Sequence, residues 1–412
     1  MTPKLKRRLQ TSWHVLRRRF GADPGKPDRL VVEKATWLND AHSPVMLSID
    51  DLTNAWHKHG EGSRWEHGGD WGGGLWGPGS ALRFLEDRLL RFFPEAKTTF
   101  FTVAGPISSY TYHQPFSNAA PLDATEESKQ FFRSIAKDPR FELAYHGFNH
   151  GTAGARTEEF LQEWRGFSSV DDAVGQTKRG LEIFARATGT LPRGGKYGGW
   201  EYNQFAEEAV ARCGFAWWCR DWMPRDITGR IPDAYYEPHV FGPGLVIALP
   251  TTVHGRFWDR RQIDILLARR QLIAIEEHIA PIRPDGLIQA PNIIDDIDDL
   301  RRLYAYLRNK RVWYASGSQI ATYVIARDRS LIHDITADGF SIRYDGREQS
   351  PLLTLRIDCS MICDPGRPLV DVMLPDGMAI DPAVCQFDER QYRHLVTVPV
   401  MEGRYRVRAR TK

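Results

Sequence analysis

Apolar runs rich in β-formers recur along the chain at Val45–Asp50, Thr98–Gly105, Phe141–His146, Ala216–Cys219, Leu245–Thr251, Gly286–Asn292 and Val312–Ser316. Segments with helical spacing lie between most of them. Leu82, Leu85, Leu89 and Phe92 make one such face after Ser80, and Ser169 with Asp172 opens another that ends at Gly189. Gln262 to Ile279 and Asp296 to Leu307 read as two more. Strand, helix and strand repeated this often predict a parallel sheet covered by helices, and about seven units favour a closed or nearly closed α/β barrel over an open sheet. In such a barrel the chemistry sits where strands end. Asp50, Asp51, His146 and Thr251 all fall at such ends.

From about residue 330 the pattern becomes short alternating runs, "FSIRYDG", "LLTLRID", "LVDVMLPDG", "HLVTVPV" and "RYRVRAR", separated by turn residues. This predicts a small antiparallel β domain of sandwich type. The expected organisation is a basic leader over 1–30, a barrel over 31–328 and a β domain over 329–412.

A net charge of +3 with no long basic stripe gives no reason to expect nucleic acid as a partner. The first 20 residues are the exception, with Lys4, Lys6, Arg7, Arg8, Arg17, Arg18 and Arg19 interleaved with Leu5, Leu9, Trp13, Leu16 and Phe20. They lack the apolar stretch of a signal peptide, and no run reaches the roughly 18 apolar residues of a membrane span. A solvated leader helix is expected, with peripheral docking on the anionic inner face of a membrane as the alternative. Five cysteines in a chain this long suggest reduced thiols and a cytoplasmic protein, and Cys359 with Cys363 lacks the spacing of a structural zinc site.

Asp50 and Asp51 close an otherwise apolar strand. Two adjacent carboxylates repel unless a cation lies close, and strand alternation points them in different directions, so one can bind a metal while its neighbour faces elsewhere. Capping a helical turn is the structural alternative. His146 and His150 in "HGFNH" have the spacing that a single helical turn would bring to one face. With a carboxylate from another strand they complete a common first shell for a catalytic divalent ion. Downstream, "WHKHGEGSRWEHGGDWGGGLWGPG" sets Trp56, Trp65, Trp71 and Trp76 among nine glycines, with His57, His59 and His67. It reads as a long loop over the barrel mouth, its tryptophans either stacking on a sugar or anchoring the loop.

"SIDDLTN", "HGFNH", "LPRGGKYG" and "GFAWWCRDW", in that order across roughly residues 40 to 325, resemble the motif series of the polysaccharide deacetylase family, which carries the NodB homology domain and is classed with carbohydrate esterase family 4. The resemblance is that of an outlying member. It implies a distorted barrel of seven parallel strands that removes an acetyl group from an N-acetylated sugar. Asp50 would be the base on metal-bound water, and Asp51, His146 and His150 would hold the metal, usually zinc. Arg193 would orient the base, while Asp221 and Trp222 would wall the groove. Tyr197 and Trp71 are further candidate substrate contacts.

The chain departs from the pattern in two motifs. Gly147 stands where the family has Ser or Thr, and the expected late strand, "GLIQAPNII", lacks the family's catalytic histidine. His254 is the substitute acid, with His113 behind it. With no export signal, the expected substrate is an N-acetylated sugar nucleotide, glycolipid or glycan-assembly intermediate. The missing histidine also supports a catalytically inactive glycan-binding module. Two histidines and one carboxylate also describe a non-haem iron enzyme, the less favoured alternative.

Overall fold

The computed structural model describes residues 29–55, 80–107, 119–220, 238–241, 246–256, 258–279, 289–358, 370–381, 385–388 and 393–409. The chain divides into two compact units, one of residues 41–325 and the other of residues 1–40 with 326–412.

Seven strands build the larger unit: β1 (Ser43–Leu52), β2 (Thr98–Val103), β3 (Phe141–Gly147), β4 (Gly194–Lys196), β5 (Trp217–Arg220), β6 (Val246–Pro250) and β7 (Ile273–His278). Each pairs in parallel with the next from β1 to β6, and β7 pairs in parallel with β1. The circuit returns to its start through β6. Residues 247–250 lie against β5, and the same segment continues to Val253–His254, which pairs in parallel with β7. Thr252 N bridges the gap by donating to Ala274 O at 3.0 Å. The predicted barrel is therefore present, as a ring of seven parallel strands.

Strands buried on both faces should be apolar throughout, and β1 is buried from Ser43 to Asp50. Val45, Leu47 and Ile49 are fully buried in a core that also takes Leu82, Leu85 and Leu89 of the segment after Ser80. Each such side chain contributes about 1.5–3 kcal/mol. The caps read from sequence are in place: Ser80 Oγ accepts from Arg83 N at 3.0 Å, Ser169 Oγ accepts from Asp172 N at 3.1 Å, and Gly189 ends its helix at φ 85°.

Strand assignments change at four places, the first being β4, which was not among the expected strands. The segment expected to be one helix over 262–279 is a helix, Arg260–Arg269, followed by β7. Its apolar residues keep helical spacing across the junction, and the break is made by Arg270 at φ 56°, without the glycine that normally signals a C-cap. Residues 289–292 of the expected "GLIQAPNII" strand are not extended. Val312–Tyr314 is a strand, but it pairs with the start of β1 outside the ring.

The second unit holds two antiparallel four-stranded sheets, as the alternating runs predicted. One contains Leu352–Asp358, Cys385–Asp388 and Arg393–Pro399, the other Ser330–His333, Gly339–Tyr344, Val370–Met373 and Gly403–Ala409. The fourth strand of the first sheet is Val31–Lys34, antiparallel to Leu352–Asp358. Residues 31–40 therefore group with the β domain rather than with the barrel where the sequence placed them, because backbone pairing to a distant strand left no mark in their local pattern. The basic leader lies outside the described residues.

Candidate metal centre

Parallel strands present their C-terminal ends at one rim, and there β1, β3, β4 and β7 deliver Asp50, Asp51, His146, Lys196, Glu276 and His278. The two aspartates do not diverge as strand alternation predicts. Asp51 sits at φ 64°, and the β1–β2 register shifts between Ile49 and Leu52. This bulge turns Asp51 back toward the side that Asp50 faces. His146 Nε2 consequently lies 3.3 Å from Asp51 Oδ1 and 4.0 Å from Asp50 Oδ2. Such a left-handed residue costs about 1–3 kcal/mol and persists where its surroundings fix it.

His150 is not carried by a helical turn either. Residues 148–150 form a bend with His150 at φ 66°, and its Nε2 lies 3.2 Å from Asp51 Oδ1. Asp51, His146 and His150 thus converge as a possible ligand set, as proposed from sequence. Ligand atoms held tetrahedrally about 2.0–2.1 Å from one zinc-like ion stand roughly 3.3 Å apart, the spacing found here.

Tautomers make the same point. His146 Nδ1 is 3.1 Å from the Lys196 carbonyl, which fixes the proton on Nδ1 and leaves Nε2 as a lone pair facing a carboxylate. Asp51 Oδ1 is itself buried without a hydrogen-bond donor among the described residues. A cation between them resolves the conflict, so the residues fit a divalent metal. Burial works against the Asp51 carboxylate, yet the charge of the His150 imidazolium holds it well below the usual carboxylate range. Burial likewise opposes the His150 imidazolium, and Asp51 outweighs it, raising that pKa.

Beside this trio lies a second cluster that the sequence reading missed. Lys196 Nζ donates to Asp50 Oδ2 and, at 2.7 Å, to Glu276 Oε1. The ammonium stands 3.8 Å from the Trp200 ring centroid, and Trp200 Nε1 donates to Glu276 Oε1 at 3.0 Å. His278, the last residue of β7, places Nε2 3.9 Å from Asp50 Oδ2 and has Nδ1 2.8 Å from Pro291 O. Asp50 and Glu276 share the one ammonium, and Asp51 adds a third carboxylate at the rim beside His146 and His150, a charge pattern that a divalent cation balances. Cys219, buried nearby, is no nucleophile: burial pushes its thiol up to about 12.

Several expected site residues stand elsewhere. Arg193 is exposed ahead of β4, and the cation reaching Asp50 is Lys196, three residues later and buried. Tyr197 points to the other face of β4, into the core, stacked on Tyr202 at 4.5 Å and packed on Trp164 and Trp218. His254 has its backbone beside Glu276 in the sheet, and its side chain is outside the described set. Trp71, Asp221, Trp222 and His113 also lie outside the described residues. His278 is a late-strand histidine that the sequence reading did not single out. The signal was "IAIEEH", an apolar run ending in acids and a histidine, hidden by the helix assigned over it.

Fold and rim together define an α/β barrel with a candidate Asp–His–His metal site. No family model matches the chain, and no curated protein does. Solved structures similar to it include a protein described as a polysaccharide deacetylase from Mycobacterium smegmatis, 16% identical, spanning 72% of this chain and 94% of that one with a TM-score of 0.42. An allantoinase is 13% identical over 70% and 92%, with a TM-score of 0.43. A CE4 family pseudoenzyme from Bacillus anthracis is 14% identical over 68% and 65%, with a TM-score of 0.34. Polysaccharide deacetylases recur among these neighbours, at low identity and low TM-score. Among the described residues no helix is long and apolar enough to cross a membrane.

Proposed function

We propose that the barrel hydrolyses the amide of an N-acylated amino sugar, most simply an N-acetyl group, with a divalent cation of zinc type held by Asp51, His146 and His150. The observation that carries this reading is the convergence of those three ligand atoms beside Asp50. When bound, the cation supplies Lewis acidity, activating a water and polarising the acyl carbonyl.

The protein's own groups handle the protons. Asp50 Oδ2 is held by Lys196, while Oδ1 is buried with no donor among the described residues and is the free acceptor for the proton of the attacking water. Burial opposes the Lys196 charge, but the Asp50 and Glu276 carboxylates raise its pKa above the ordinary lysine value, so Lys196 stays a fixed cation and is not the acid. His278 fills that role. With Nδ1–H on the Pro291 carbonyl, an imidazolium there gives its Nε2 proton to the departing amine as the C–N bond breaks, leaving a carboxylate and an amino sugar. His278 favours the enzyme over an inactive glycan-binding module, the reading that rested on a missing late-strand histidine.

The substrates to test are N-acetylated sugars, sugar nucleotides and glycolipids, by acetate release. Asp50→Asn is expected to retain metal and lower turnover by at least about 10²-fold. Metal-loaded protein that releases no acetate from any of these substrates, or a fully active Asp50→Asn, would refute the proposal.

A further inference from the structure

The turn that carries His146 and His150 is held by a carboxylate with no part in that proton chemistry. Glu163 opens a single helical turn, Glu163–Gly166, and is only 5% exposed. Its Oε1 accepts from Phe148 N at 2.9 Å, and its Oε2 accepts from Asn149 N and His150 N, both at 2.9 Å. Three successive backbone N–H groups therefore converge on one side chain, a concavity suited to an anion. The contact is reciprocal: Glu163 N donates to His150 O at 3.2 Å, and Trp164 Nε1 donates to His146 O at 3.2 Å.

Gly147 belongs to the same device. It lies at φ +148°, and a Cβ built there would stand 2.5 Å from Glu163 Oε2. A serine or threonine at 147 would occupy the place of the Glu163 carboxylate. The glycine that departs from the expected motif is what allows a distant acid to order the turn.

We propose that Glu163 is a positioning residue of the metal centre, acting with Gly147 through the backbone of residues 148–150. Its carboxylate offsets the left-handed conformation of His150 and so holds His150 Nε2 beside Asp51. This rests on the metal-site reading above. It extends that reading to a residue that touches neither metal nor substrate.

The test is Glu163→Gln in the full chain, with Glu159→Gln as a surface control. The amide puts an N–H₂ where the turn needs an acceptor. Affinity for Co²⁺ and Zn²⁺ would be measured by chelator competition on protein shown folded by near-ultraviolet circular dichroism, together with the Co²⁺ absorption spectrum. The expected result is about 10–100-fold weaker binding and an altered Co²⁺ spectrum, with the control unchanged. A merely structural role would lower thermal stability and leave both readouts alone. If Glu163→Gln does not fold, Gly147→Ala tests the same contact by displacing Oε2 and is expected to weaken binding likewise. Wild-type affinity and spectrum in the folded Glu163→Gln, or failing that in Gly147→Ala, overturn this inference alone. A wild-type protein that binds neither ion overturns the metal-site reading, and this inference with it.

Discussion

Replacing Lys196 by methionine should destabilise the barrel more than almost any surface change, and the structure sets the scale. The ammonium is held between Asp50 and Glu276, and the three side chains are 1%, 5% and 3% exposed. Methionine keeps much of the stem but leaves two carboxylates in a water-poor site without their shared cation. Breaking a buried pair from one side costs about 3–5 kcal/mol. For a unit of this size that lowers Tm by roughly 5–8 °C. The Lys196 pKa lies above its ordinary 10.5, so the ammonium's contribution is complete below that pH and is lost only as pH rises through the folded value. The deficit of Lys196→Met should therefore be nearly constant between about pH 6 and 9, read by thermal unfolding with metal equally loaded on both proteins. Adding Glu276→Gln should recover part of the loss, with a coupling of about 0.5–3 kcal/mol. A single variant that loses less than about 1 kcal/mol, or a double variant no better than the single, would refute the assignment of Lys196 as the counter-ion of this cluster.

Other perturbations probe the remaining contacts. A Cβ at residue 198 would lie 3.1 Å from His150 Nε2 and Cδ2, so Gly198→Ala should displace the ring and weaken divalent-metal binding about tenfold in a folded protein. Unchanged affinity by chelator competition would remove His150 from the ligand set. Stripping the protein with chelator and returning zinc at 1,000 times its Kd should add about 4 kcal/mol to unfolding, and Asp51→Ala should abolish that gain in a thermal-shift titration. Glu277 is fully buried, and neither carboxylate oxygen finds a partner among the described residues; burial, then Asp296 and Glu276, raises its pKa well above 4.5. An acid whose folded pKa is raised favours the native state at low pH and loses that advantage as pH climbs above its unfolded value. Glu277→Gln should therefore stabilise the protein more at pH 8 than at pH 5; an equal effect at both would show that Glu277 is not strained by burial.

How much of this was legible depended on whether a residue's role was local. Ser80, Ser169 and Gly189 announced helix ends because a cap is satisfied within three or four positions. Asp50, Asp51, His146 and His150 stood out as polar groups closing apolar strands. Lys196 gave no comparable signal, since β4 is three residues long, two of them glycines, and carries no apolar run. His278 was masked because Arg270 breaks the helix without a glycine, so strand and helix merged into one periodic pattern. Arg193 looked the better partner for Asp50 only because a linear motif cannot say which side chain of "RGGK" points inward.

The sequence by itself determined that strands alternate with helices, that a β domain follows, and which chemical types close several of the strands. All of these follow from periodicity and short-range hydrogen bonding. Only the tertiary structure decided which of those groups meet. A parallel ring brings the C-terminal ends of β1, β3, β4 and β7 to one rim although their residues lie up to 228 positions apart, as Asp50 and His278 do. A bulge at Asp51 then overrides the alternation that would have sent two neighbouring carboxylates to opposite faces.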